Sequence, residues 1–144
     1  MPETVEKKIY QALTTKAQGV TIPAGWVIVL PGTTFTPAAD SKYVSVEVHF
    51  NRPIDTDAVS QELPPIRQGF MRTNVMLPKG RAVIDGYDVA GTLCEAFKIG
   101  TKLYRDTVQV RIDEHPEIGP LITSGTHHTI PVTTRFFSYP QLPA

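Results

Sequence analysis

A chain of 144 residues suits one domain and buries about 68–70% of its unfolded surface on folding, so it needs no staples. Its 14 basic and 14 acidic residues cancel, and no Lys/Arg cluster reaches four in a row, which argues against a free-standing nucleic-acid binder. A charged content of 19%, below the usual ~25%, leaves neutral surface for packing against protein. The lone Cys94 excludes an internal disulfide and a thiol-rich zinc site. The longest apolar run, Trp26 to Leu30, is far short of a membrane span.

In chain order, the acidic, polar start Met1-Pro2-Glu3 is no signal peptide, so the protein is expected to remain in a cytoplasm. Residues 3–18 read as a helix, because Val5, Ile9, Ala12 and Leu13 recur at helical spacing. Glu3 and Glu6 place negative charge at the positive end of its dipole, and Gly19 is a C′ stop. Trp26 to Leu30 reads as a strand apolar on both faces, expected inside the sheet or covered on both sides. Pro31-Gly32 marks a turn. Residues 43–50 alternate cleanly: Val44, Val46, Val48 and Phe50 on one face, Ser45, Glu47 and His49 on the other. Residues 68–77 are the expected partner, with Phe70, Asn74 and Met76 opposing Met71, Thr73, Val75 and Leu77.

The stretch 51–67 between those strands carries three prolines and reads as a long irregular loop. Loops of that length in small domains are commonly functional. Pro78-Lys79-Gly80 leads into a second helix over 81–98, with Ala82, Gly86, Val89, Ala90, Leu93, Ala96 and Phe97 in phase. Gly86 costs about 1 kcal/mol against Ala in a helix, which points to close approach to the sheet. Gly100 is the expected cap. Val108, Val110 and Ile112 alternate as a strand, 117–123 is a weaker extended segment, and 130–138 closes the domain. Pro131 fits an edge position or the start of that strand. The pattern is α+β: a mixed, mostly antiparallel sheet with two helices packed on one face.

Catalytic signatures are missing: there is no P-loop, dinucleotide fingerprint or Cys-x-x-Cys. His127-His128 is the one conspicuous polar pair, but neighbours on an extended strand point to opposite faces and cannot readily share a metal. Asp55-Thr56-Asp57 resembles a metal-binding Asp-x-Asp, yet reads better as the cap of a short helical turn. Cys94, beside Leu93 and Phe97, reads as a small buried hydrophobe. Ser124 and His127 lack a nucleophile elbow. No catalytic residue, metal or cofactor is expected.

The order of pieces is more informative. Val29-Leu30-Pro31-Gly32-Thr33-Thr34-Phe35-Thr36-Pro37 follows the first helix, then Tyr43-Val44-Ser45-Val46, Gln68-Gly69-Phe70 and Leu77-Pro78-Lys79-Gly80. The second helix ends Phe97-Lys98-Ile99-Gly100-Thr101-Lys102-Leu103, and the chain closes on Ile130-Pro131-Val132-Thr133-Thr134-Arg135-Phe136. This succession resembles the tail terminator family of long-tailed phages over nearly the whole chain. The resemblance implies a structural virion protein: a ring, usually a hexamer, that caps the tail tube, ends its polymerisation and joins the tail to the head connector. Implied partners are copies of itself, the tube protein and the connector, with DNA only passing through the lumen and no membrane.

Two other readings stay open. One is another head–tail joining or tail-completion protein; the other, from a different class, is a small enzyme or ligand-binding domain. A subunit of this length is about 37 Å across, and six in contact enclose a hole of about the same width, enough for duplex DNA. DNA has to slide, so lumen-facing side chains are expected to be neutral or acidic. The mixed charges of 51–67 (Arg52, Asp55, Asp57, Glu62 and Arg67) suit register-setting contacts between proteins. Ser45, Glu47 and His49 form a second candidate contact surface.

Overall fold

The computed structural model describes residues 4–32, 41–53, 66–79, 83–125 and 127–138. Helix α1 (Val5–Gln18) starts at Thr4, whose hydroxyl accepts the Lys7 N–H at 3.2 Å and so satisfies one of the amides a helix start leaves unpaired. Its buried stripe is Ile9, Ala12, Leu13 and Ala17. Gly19 is the cap itself, with a right-handed φ of −86°, and not a left-handed residue beyond the cap. Helix α2 (Ile84–Ala96) buries Gly86, Val89, Ala90, Leu93 and Cys94 and is capped by Phe97. Gly100, expected as that cap, lies beyond it at φ +91°, where its N–H donates to the Ile112 carbonyl at 2.8 Å.

The strands are β1 (Trp26–Val29), β2 (Lys42–Phe50), β3 (Arg67–Pro78), β4 (Lys102–Arg105), β5 (Val108–Arg111), β6 (Glu117–Ile118), β7 (Ile122–Ser124) and β8 (His127–Ser138). They form one sheet in the order β1-β2-β3-β8-β5-β4, with β6 and β7 also paired to β8. Only β1 and β2 are parallel; every other pair is antiparallel. With two helices on one side, this is the expected α+β architecture. Strand β4 was not foreseen as a separate element.

Strand β1 corrects one expectation. Among the described strands it is an edge strand, not an interior one: Trp26 and Ile28 pack toward the core, while Val27 is 50% exposed. Four residues apolar on both faces do not specify burial on both faces, because a short run carries too little area to demand a second cover.

Strand β8 is interior. One side pairs with β3 through twelve partners in unbroken register, from Arg67↔Ser138 to Pro78↔His127. The other side is shared by β5, β6 and β7, which amount to one long strand interrupted by bulges. From Arg111↔Phe137 to Glu117↔Thr133, six steps along the bulged strand match four along β8. From Ile118↔Val132 to Ile122↔Thr129, four match three. This explains how Pro131 sits in the middle of a central strand. Its carbonyl accepts the Gly119 N–H at 2.8 Å, so its missing N–H faces the same side, where the bulge leaves β8 without a regular partner. Proline therefore occupies a local edge inside the sheet.

Two apolar clusters lie side by side under the helices. Under α1, Ile9, Leu13 and Ala17 meet Val46, Met71, Val110, Ile112 and Phe136. Under α2, Val89, Ala90 and Leu93 meet Val44, Val75, Leu77, Ile130 and Val132. The helices thus occupy opposite ends of the long strands. Close approach explains Gly86: a Cβ there would lie 2.8 Å from Ile130 Cδ1 and 3.0 Å from Leu77 Cδ2.

Gly69 is the tighter position. A Cβ there would run into the His49 carbonyl oxygen and come within 2.8 Å of Phe136 Cζ. The ring of Phe136, edge-on to Phe50 at 5.7 Å, fills the space above the glycine. Gly69→Ala is therefore expected to destabilise the protein by about 1–3 kcal/mol through overpacking, seen as a lower urea midpoint. An unchanged midpoint would show that β2 can move aside at no cost.

Candidate interface on the helix-free face

Because side chains alternate across a strand, the residues of β3 that do not point at the helices form a row of their own. Gln68, Phe70, Arg72, Asn74 and Met76 are all only partly covered. Register sets β2 beside them: Ser45 opposite Asn74, Glu47 opposite Arg72, His49 opposite Phe70. On the other flank β8 supplies Pro131, Thr133 and Arg135. No described helix covers this face.

Its contacts form a connected layer. Asn74 Nδ2 donates to Ser45 Oγ at 3.4 Å. Glu47 Oε2 lies 3.2 Å from His49 Nε2. The His49 and Phe70 rings stack with centroids 4.8 Å apart and planes 24° apart. The Arg72 guanidinium carbon lies 5.2 Å from the centre of the Phe70 ring, within cation–π range. A groove of about 460 Å³ continues this layer, lined by Phe70, Arg72, Asn74, Pro131 and Arg135 and by the bulged segment carrying Glu117 and Ile122. Arg135 Nε lies 3.4 Å from Glu114 Oε2, with both side chains more than half exposed, a pairing worth at most about 1 kcal/mol. A stacked aromatic, two guanidiniums and a polar margin are what a protein-contact surface offers. They provide no aligned nucleophile and base.

The sequence candidates separate into four groups. Ser45, Glu47 and His49 come together on this face. Arg67 starts β3 on the opposite face, where its Nε lies 3.2 Å from Glu6 Oε1 on α1. Arg52 is exposed, and its carbonyl accepts from Gln68 Nε2 at 3.0 Å. Asp55, Asp57 and Glu62 lie outside the described residues. Arg72 and Arg135 were missed, although the alternation that separated Phe70 and Asn74 from Met71 could have found Arg72.

The two histidines lie at the start of β8 and take opposite faces of it, as an extended backbone requires. Buried His127 donates from Nε2 to the Ser41 carbonyl at 3.0 Å and meets the Tyr43 ring edge-on at 5.7 Å. His128 Nδ1 and Thr123 Oγ1 share a hydrogen bond of 2.8 Å. Among the described residues no three His, Cys, Asp or Glu side chains gather at metal-binding distance. Cys94 is 5% exposed, and burial pushes its thiol pKa up, which disfavours the thiolate.

A profile of the phage tail terminator protein family matches residues 8–136. The chain belongs to this family. The family is structural and non-enzymatic, a component of phage tails associated with the tail tube. No curated protein matches the terminator. A solved structure whose name states no function superimposes with a TM-score of 0.70 at 22% identity, covering 96% of this chain and 97% of that one; at that identity the likeness speaks for the fold. No described helix is long and apolar enough to cross a membrane.

The Glu6 carboxyl makes the terminator's stability depend on pH. Backbone N–H donation, with help from Arg67, holds the Glu6 carboxyl below its ordinary 4.5 against a smaller opposing effect of burial. A depressed folded pKa contributes stability above the unfolded value and loses it as pH falls through the folded one. Glu6→Gln is expected to cost up to about 1 kcal/mol at neutral pH, since the pair is partly exposed. That difference should close in urea titrations as pH falls below 4.5. A gap persisting in acid would assign the effect to packing.

Proposed function

We propose that six copies of the terminator form a ring that caps the tail tube, stops its polymerisation and presents a surface to the head connector. Family membership across residues 8–136 carries this reading. The uncovered sheet face, where both His49 and Arg72 contact the Phe70 ring, is the surface that docks another tail protein. Exposed Arg52, whose carbonyl accepts from Gln68, suits the polar margin of such a contact, where charges set register more than affinity.

Electron microscopy of purified terminator mixed with tail tubes tests the reading. Tube ends should be capped and elongation blocked, whereas a protein that joins only the head side would leave tubes growing. Phe70→Ala with Arg72→Glu is expected to reduce capping at least tenfold, because stacked aromatics and Arg are frequent hot spots. Both side chains lie off the packed core, so the fold should survive, and capping at wild-type level would remove this face from the contact.

DNA has to slide through the ring. The assembled ring, about 95 kDa for six copies of 15.9 kDa, is expected to show no measurable duplex binding at physiological salt in a filter-retention assay. Retention would contradict a neutral or acidic lumen, because phosphate binding follows from exposed Lys and Arg.

A further inference from the structure

The terminator's charge cancels over the chain but not by place. On α2, Asp85, Asp88 and Glu95 are exposed, no basic residue shares the helix, and none of the three has an ion-pair partner among the described residues. Ile84, Asp88, Gly91 and Glu95 form the stripe opposite the buried one. Ile84 is 72% exposed, and Tyr87 beside it 41%. Two exposed apolar side chains thus sit among acids at the start of α2.

The other end of the long strands has the complementary character. Lys16 on α1 and Lys102 and Arg105 on β4 have no carboxylate partner among the described residues. Tyr104 between them is 62% exposed. A depression of about 240 Å³ opens here, lined by Gln11, Thr15, Lys16, Leu103, Tyr104 and Arg105. Arg105 Nε donates to Gln11 Oε1 at 3.1 Å, which fixes the guanidinium beside it. Strand β4 is also a sheet edge, a feature that soluble proteins usually cover or charge.

We infer that the first two turns of α2 in one copy seat in the α1–β4 depression of the next copy, Ile84 and Tyr87 against Leu103 and Tyr104, with Asp85 and Asp88 facing Lys16 and Arg105. This deepens the ring reading and rests on it. Two different patches of opposite sign make a heterologous, head-to-tail contact, the kind that closes a ring. A two-fold pairing of either patch with itself would set like charges together. The same contact covers basic side chains that would otherwise meet DNA phosphates.

Charge reversal tests the assignment. Asp88→Arg and Arg105→Glu alter exposed side chains, so thermal melts should match wild type. Each variant alone is expected to assemble at least ~10-fold less well, by sedimentation and by microscopy on tail tubes, because like charges then meet across the contact. Mixed in equal amounts, the two should recover assembly as alternating rings, since every contact then joins opposite charges. Single variants that assemble like wild type, or no recovery on mixing, would overturn the assignment and leave the ring intact as a reading. Duplex retention by the wild type that Arg105→Glu abolishes would overturn it too and make the basic end a DNA surface. A wild-type protein that never assembles, alone or on tubes, would remove the ring reading itself.

Discussion

Twelve consecutive residue pairs join β3 to β8, and the rest of the terminator is arranged around that ladder. Unbroken register over such a length fixes which side chains share a face, because a slip of one residue would move every apolar group to the wrong side. Met71, Thr73, Val75 and Leu77 on one strand, with Ile130, Val132, Thr134 and Phe136 on the other, therefore commit one face to burial. Both helices are then drawn to that face. The sheet cannot bury the opposite row within the described residues, and Phe70, Arg72 and Asn74 are left partly covered.

The irregular features sit where the ladder leaves room for them. On its far side β8 is paired piecemeal, and the bulges between β5, β6 and β7 are what allow Pro131 inside the sheet. The same bulges carry Gly119, Pro120 and Ile122 to the margin of the groove. Gly69 lets the Phe136 ring close over β3, and Gly86 lets α2 descend onto Ile130 and Leu77. Each glycine replaces a side chain with a neighbour's, so the packing depends on three elements agreeing at once.

A subunit of this design divides its surfaces. One sheet face packs inward beneath the helices, and no described helix covers the other. The helical layer ends in an acidic patch at α2 and a basic one at α1 and β4, with exposed apolar side chains in both. Zero net charge is thus compatible with strong local polarity.

Periodicity alone determined much of this protein: both helices, the alternating faces of β2 and β3, the close approach at Gly86 and the buried nature of Cys94. It also separated Ser45, Glu47 and His49 from the core, because the two-residue repeat of a strand is a local property. Neighbours in space were decided only by tertiary structure. The edge position of β1, the place of Pro131, the capture of Arg67 by Glu6 and the assembly of Phe70, Arg72 and Arg135 into one face all follow from strand order and register. Those arise from contacts between residues far apart in the chain, which no local pattern encodes.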